Sequence, residues 1–180
     1  IDPRRICPSG WAYYRPRSAR SAAVFWKRSE WKILKRGALR ISSCRLESRH
    51  IVWVYAKNKR TGRTYRFGSV HLPAFKTSRK KNAAEFRYQE ERAAAWLAGG
   101  TRRVLVGDFN AGLGGSWLDN MKREGLIHNP QRGTGPNGTQ IDHVWRRKKK
   151  KNGKNHIRPR STGVYKGSSD HKALIAELEG

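Results

Sequence analysis

Four short stretches of this chain end an apolar run in groups that can handle protons, anions or metal ions. They are Val70-His71-Leu72, Gly107-Asp108-Phe109-Asn110, Ile141-Asp142-His143 and Ser169-Asp170-His171. A histidine changes charge near neutral pH and can exchange a proton with a reacting group. A carboxylate can orient that ring, activate a water molecule or act as a hard oxygen ligand for Mg²⁺. Asn110, two residues beyond Asp108, points the same way and adds an amide donor. Taken singly, each stretch has an ordinary structural explanation: a hydrogen-bonded histidine after a strand, or an aspartate that forms a turn. Together they build a polar site if the fold brings the strand ends to one sheet edge.

The elements that must do this are legible in outline. Val104, Leu105 and Val106 suit a fully buried strand, and Gly107 lets the backbone turn where it ends. Just before it, residues 79–98 read as a helix, with Phe86, Ala93, Ala94 and Leu97 on one face and Gly99-Gly100 as the stop. Residues 21–27, 31–39 and 51–55 read as strands, and a turn at 58–62 pairs the last of these with 64–72. A short helix is expected over 116–124 with Ser116 as its N-cap. Further strands are expected at 140–145, around Val164 and Tyr165, and at 173–178. Residues 1–20, with Pro3, Pro8, Gly10 and Pro16, read as a loop. Its aromatics among arginines (Trp11, Tyr13, Tyr14, Arg15) suit either a grip on a nucleic-acid strand or packing onto the sheet. No internal repeat or second domain is evident, so residues 1–180 form one domain.

Charge bounds the choice of partner. Lys and Arg number 40 against 13 Asp and Glu, a formal net charge of +27. Such an excess repels itself and points to a polyanion, with nucleic acid first. Arg146, Arg147, Lys148, Lys149, Lys150 and Lys151 are consecutive bases and open a basic loop spanning 146–160. No apolar run approaches a membrane span of about 20 residues. Cys7 and Cys44 lack the spacing of a zinc site.

The stretches SVHLP (Ser69 to Pro73), VGDFNA (Val106 to Ala111), IDHV (Ile141 to Val144) and SSDHKAL (Ser168 to Leu174) stand in one order along the chain. In that order, with a helix between the first two, the chain resembles the endonuclease/exonuclease/phosphatase superfamily from about Tyr13 onward. The resemblance implies a four-layered α/β sandwich, two packed mixed sheets flanked by helices, and phosphoester hydrolysis with Mg²⁺ or Mn²⁺. It also implies roles. His171 sits beside the scissile phosphate and Asp142 orients its ring. Asp108 orients or deprotonates the attacking water, and Asn110 donates to a phosphoryl oxygen. His71 donates to the phosphate or protonates the leaving oxygen, and Asp170 is the metal ligand. His143, on the opposite strand face from Asp142, is structural.

The family pattern opens with a strand carrying an Asn and a second strand ending in Gln-Glu, the Glu being its main metal ligand. Neither stretch is found here, and Glu30 and Glu47 do not end apolar strands of the right kind. The expectation is therefore a domain lacking its first two strands, with its metal site completed by a missing N-terminal segment or another chain. The fold serves many phosphates, and the charge selects nucleic acid, with DNA ahead of RNA on family analogy. The expected activity is metal-dependent hydrolysis of nucleic acid with little sequence preference, helped by Arg15 and the block 146–151 at the active-site edge. The alternatives are a nucleic-acid-binding relative without turnover, and a phosphatase acting on another phosphorylated substrate.

Overall fold

The computed structural model describes residues 2–43, 48–74, 80–100, 102–123, 126–128, 139–147, 157–165 and 173–179. Its centre is a six-stranded mixed sheet. The strand order is β3 (Trp31–Arg40), β4 (His50–Asn58), β5 (Thr64–His71), β6 (Arg103–Asp108), β8 (Asp142–Arg147) and β7 (Leu126–His128). β4 and β5 form a hairpin whose turn is closed by Asn58: its carbonyl accepts from Gly62 N at 2.9 Å and its side chain from Thr61 N at 2.9 Å. β5 and β6 run parallel, and a parallel pair needs a crossover. Helix α2 (Lys80–Ala98) supplies it.

Alternation along the strands sorts the apolar residues to two faces. Ile51, Val70, Leu72 and Leu105 pack beneath α2 with Phe86, Ala93, Ala94 and Leu97, in the main core. Val52 and Val54 face the other way, onto Ala19, Ala22 and Val24. On that second face lie two small antiparallel sheets, β1 (Trp11–Tyr14) with β2 (Val24–Lys27), and β9 (Arg158–Tyr165) with β10 (Ala173–Glu179). The result is an α/β sandwich of sheets and helices, as expected. A turn of 3-10 helix (Ser116–Leu118) leads into α3 (Asp119–Arg123), which is tied to α2 because buried Glu90 accepts a bond from Met121 N at 2.8 Å. Among the described residues no helix is long and apolar enough to cross a membrane.

Five features differ from the sequence expectations. Ser116 is not an N-cap, because it lies inside the 3-10 turn and Gly115 holds the cap position without a side-chain bond. Residues 1–20 are not all loop: Asp2 caps a short helix α1 (Pro3–Ile6) and Trp11–Tyr14 pairs with β2, so the Pro and Gly residues punctuate elements rather than exclude them. The short strand β7 was not expected, and it forms only through its pairing with β8. Val104 and Leu105 are buried, whereas Val106 is 37% exposed. It borders a cavity of about 360 Å³ that Trp11, Phe25, Trp26, Val54 and Ser69 also line, so the second face is not closed over the middle of β6. Finally, Arg146 and Arg147 belong to β8, not to a loop. Arg146 pairs with Val104 and is only 9% exposed, because the sheet pairing carries the strand two residues beyond its apolar run.

Candidate active site

Strand register assembles the site. The parallel pairing of β5 and β6 sets His71 opposite Asp108, and the antiparallel pairing of β6 and β8 sets Asp142 opposite Asp108. Paired residues on neighbouring strands project from the same face. His71, Asp108 and Asp142 therefore form one row across three strands, on the face that carries β1 and β2. This is the upper end of the sheet. His71 Nε2 lies 3.6 Å from Asp108 Oδ2, too long for a hydrogen bond but an ion pair once the imidazole is protonated. Asp108 and Asp142 are like charges directly opposite each other, an arrangement that a cation or a protonated histidine offsets.

The turn after β6 is held from both sides. Leu72 N donates to Asp108 O at 2.9 Å and Phe109 N donates to Ile141 O at 2.8 Å, so the pairing continues past the strand ends. Asn110 N donates to Asp108 Oδ1 at 2.7 Å, and Asn110 Nδ2 donates to Leu72 O at 2.9 Å. An amide nitrogen carries two protons, so the second bond leaves one for another acceptor. Asn110 has φ +49°, a conformation asparagine tolerates better than most residues. Gly107 has φ +145°, and a Cβ there would lie 1.8 Å from Val70 O. Only glycine lets β6 pass this close to β5 and still deliver Asp108.

His143 sits on the other face, as expected. It is buried, touches Phe109 and Trp145, and its Nε2 lies 2.7 Å from Ala111 O, the distance of a donated hydrogen bond. Burial holds its imidazole below the usual histidine range, against the opposing pull of the Ala111 carbonyl and Asp142. The neutral Nε2–H ring thus anchors the turn that carries Asn110. Sequence reasoning missed Arg49, whose Nη1 donates to His71 O at 3.3 Å. Its position on a different connection from every motif left no signal to find it by.

Of the residues expected at the site, the fold brings together His71, Asp108, Asn110 and Asp142. Asp170 and His171 lie outside the described residues, as do Lys148, Lys149, Lys150 and Lys151. Arg15 follows β1, partly exposed. Arg146 and Arg147 are not at the active-site edge. β8 starts beside Asp108 and runs away from it, so five residues on, at ~3.3 Å each, Arg147 is about 17 Å from Asp142. Among the described residues no group of three or more His, Cys, Asp and Glu could hold a metal ion. The oxygens of Asp108 and Asp142 suit Mg²⁺ in kind and supply part of a donor set.

No family model matches the chain, and a sequence search of curated proteins finds no match. Solved structures do match. A mannosyl-6-phosphatase of Bacteroides thetaiotaomicron superposes with a TM-score of 0.67 at 19% identity, over 96% of this chain and 78% of that one. An endonuclease/exonuclease/phosphatase family protein of the same species gives 0.68 at 19%, over 94% and 75%. TDP2 of D. rerio, solved with a single-strand DNA product, gives 0.70 at 12%, over 95% and 78%. The chain thus has the fold of the endonuclease/exonuclease/phosphatase proteins, and the resemblance read from the four motifs holds at that level.

Proposed function

We propose that this protein hydrolyses phosphodiester bonds of nucleic acid, DNA ahead of RNA, with little sequence preference. The observation that carries the reading is the row His71–Asp108–Asp142 with Asn110 beside it, at the mouth of a fold shared with phosphoester hydrolases. The net charge of +27 favours a polyanionic substrate over a small phosphate ester. In this reading Asp108 takes a proton from water as the water oxygen bonds to phosphorus. The bond to the leaving sugar oxygen breaks as His71, which can also hydrogen-bond the phosphate, gives its proton to that oxygen. Asn110 uses its remaining amide proton on a phosphoryl oxygen. The role that the resemblance implies for Asp142 is to orient the ring of His171 beside the scissile phosphate. Asp170 is the metal ligand that the resemblance implies, and Mg²⁺ or Mn²⁺ bound there would offset the charge that develops on the phosphoryl oxygens.

The test is nicking of supercoiled plasmid with Mg²⁺ or Mn²⁺, with EDTA as control. Asp108→Asn is expected to lower nicking by about 100-fold or more, the scale of a lost general base, with DNA binding in EDTA retained. Salt-sensitive DNA binding with no nicking would replace this reading by the non-catalytic one. Hydrolysis of a phosphomonoester without nicking would replace it by a phosphatase.

A further inference from the structure

The lower end of the sheet, where β6 begins, carries a second row. Lys35 on β3 pairs with Tyr55 on β4, Tyr55 with Arg66 on β5, and Arg66 with Arg103 on β6. Four neighbouring strands therefore present Lys, Tyr, Arg and Arg in register. These residues, with Thr64, Tyr65 and Arg102, line a concavity of about 380 Å³, and no carboxylate is among the described residues that line it. Arg66 and Arg103 are like charges directly opposite one another, an arrangement that weakens a sheet unless an anion compensates.

Aromatic rings flank the guanidinium groups. Arg66 lies 4.8 Å from the Trp53 ring and 5.6 Å from the Tyr55 ring. Arg103 lies 5.3 Å from the Trp96 ring and also donates to the Trp96 carbonyl. Arg102 lies 6.0 Å from the Tyr65 ring. Stacking of this kind orders the side chain, and for Arg66 and Arg102 it leaves the N–H edge of the guanidinium able to meet a phosphate. Arg102 is also at φ +47°, a left-handed conformation unusual for arginine. Its carbonyl accepts from Arg66 N at 2.9 Å, so pairing with β5 keeps it there. Strained backbone at a lined concavity is a pointer to function.

The geometry points to a second polyanion site: we propose that the groove of Lys35, Arg66, Arg102 and Arg103 takes the phosphodiester backbone of a nucleic-acid strand. A row across four strands spans three spacings of ~4.8 Å, about 14 Å. That is too long for one phosphate and matches several at about 3.4 Å of rise each. The groove is separate from the catalytic row, since it lies at the other end of β6; Lys35, Arg66 and Arg103 are on the opposite face from Asp108, and Arg102, over Tyr65, is at the lower edge. It does not depend on turnover.

The experiment is fluorescence anisotropy of a labelled oligothymidylate with the full chain in EDTA, across a salt series. Arg66→Gln with Arg102→Gly removes two phosphate contacts. The plot of log affinity against log salt is expected to lose about 1.4 from its slope, at ~0.7 per contact on a single strand. Arg102→Gly alone is expected to lose half of that while its melting temperature stays the same or rises, because glycine relaxes the strained backbone. Arg17→Gln with Arg20→Gln removes two exposed charges elsewhere and is expected to leave the slope nearly unchanged. An unchanged slope in the groove variant, an equal loss in the control pair, or full competition by inorganic phosphate at the oligonucleotide's own phosphate concentration would each overturn the proposal. Loss of nicking with this binding pattern intact would sink only the catalytic reading.

Discussion

At its upper end β6 delivers Asp108 between His71 and Asp142, and at its lower end it delivers Arg103 beside Arg66. The upper row is acidic with histidine, and the lower row is basic with aromatics. Each end also holds one non-glycine residue at positive φ, Asn110 at +49° and Arg102 at +47°. The difference lies in how each conformation is supported. Asn110 is of a type that visits this region and has two hydrogen bonds of its own to hold it. Arg102 is not of that type and is held by its neighbour's amide. The upper turn uses a residue type suited to its conformation, whereas the lower one is imposed on an unsuited residue by the sheet. A site that must place atoms for chemistry needs the first kind of support. A surface that grips a repeating backbone can work with the second.

The largest expected effect breaks the upper end outright. Gly107→Ala places a Cβ against Val70 O and should destabilise the protein by roughly 3 kcal/mol or more, from a strained conformation plus a backbone clash. Urea unfolding measures it, and a loss under about 1 kcal/mol would show that β6 can shift without cost. Next comes a pair of opposite sign. Asn110→Gly keeps the permitted conformation but loses the bond to Leu72 O, and should cost about 1 kcal/mol. Arg102→Gly should gain up to about 1 kcal/mol. If both moved the same way, the contrast between a supported and an imposed turn would be wrong.

The smallest effect is a dependence on pH at the upper end. The folded-state pKa of His143 is lowered, chiefly by burial. The unfolded chain therefore binds this proton more readily than the folded one. The stability linked to His143 is fully present above the unfolded value of about 6.5 and is lost as pH falls from there through the folded pKa. One proton limits the slope to about 1.4 kcal/mol per pH unit. His143→Gln keeps a donor for Ala111 O without titrating, so thermal melts between neutral and mildly acidic pH should be flatter than in the parent protein.

The upper site was largely legible because its parts are local. An apolar run ending in Gly-Asp-Phe-Asn announces a strand and its mouth, and helix α2 follows from periodicity and a Gly-Gly stop. The lower row was not legible, because Lys35, Tyr55, Arg66 and Arg103 sit on four strands and share no motif. Arg146 shows the same limit from the other side. It opens a run of six bases that reads as a solvated loop, yet β8 extends through it and buries it, leaving its pKa lowered by burial. Composition reports how many charges there are, not which of them pairing draws into the sheet.

What the amino-acid order determined by itself is the set of strand ends and the kind of chemistry each can offer, because turn chemistry and side-chain periodicity are short-range properties. It also set the strong positive field that favours a polyanionic partner, since a net charge of +27 needs no fold to act at long range. Only the tertiary structure decided which ends meet and on which face. Register is a relation between residues far apart in sequence, and shifting it by one residue would have turned His71, Asp108 or Asp142 to the opposite side of the sheet.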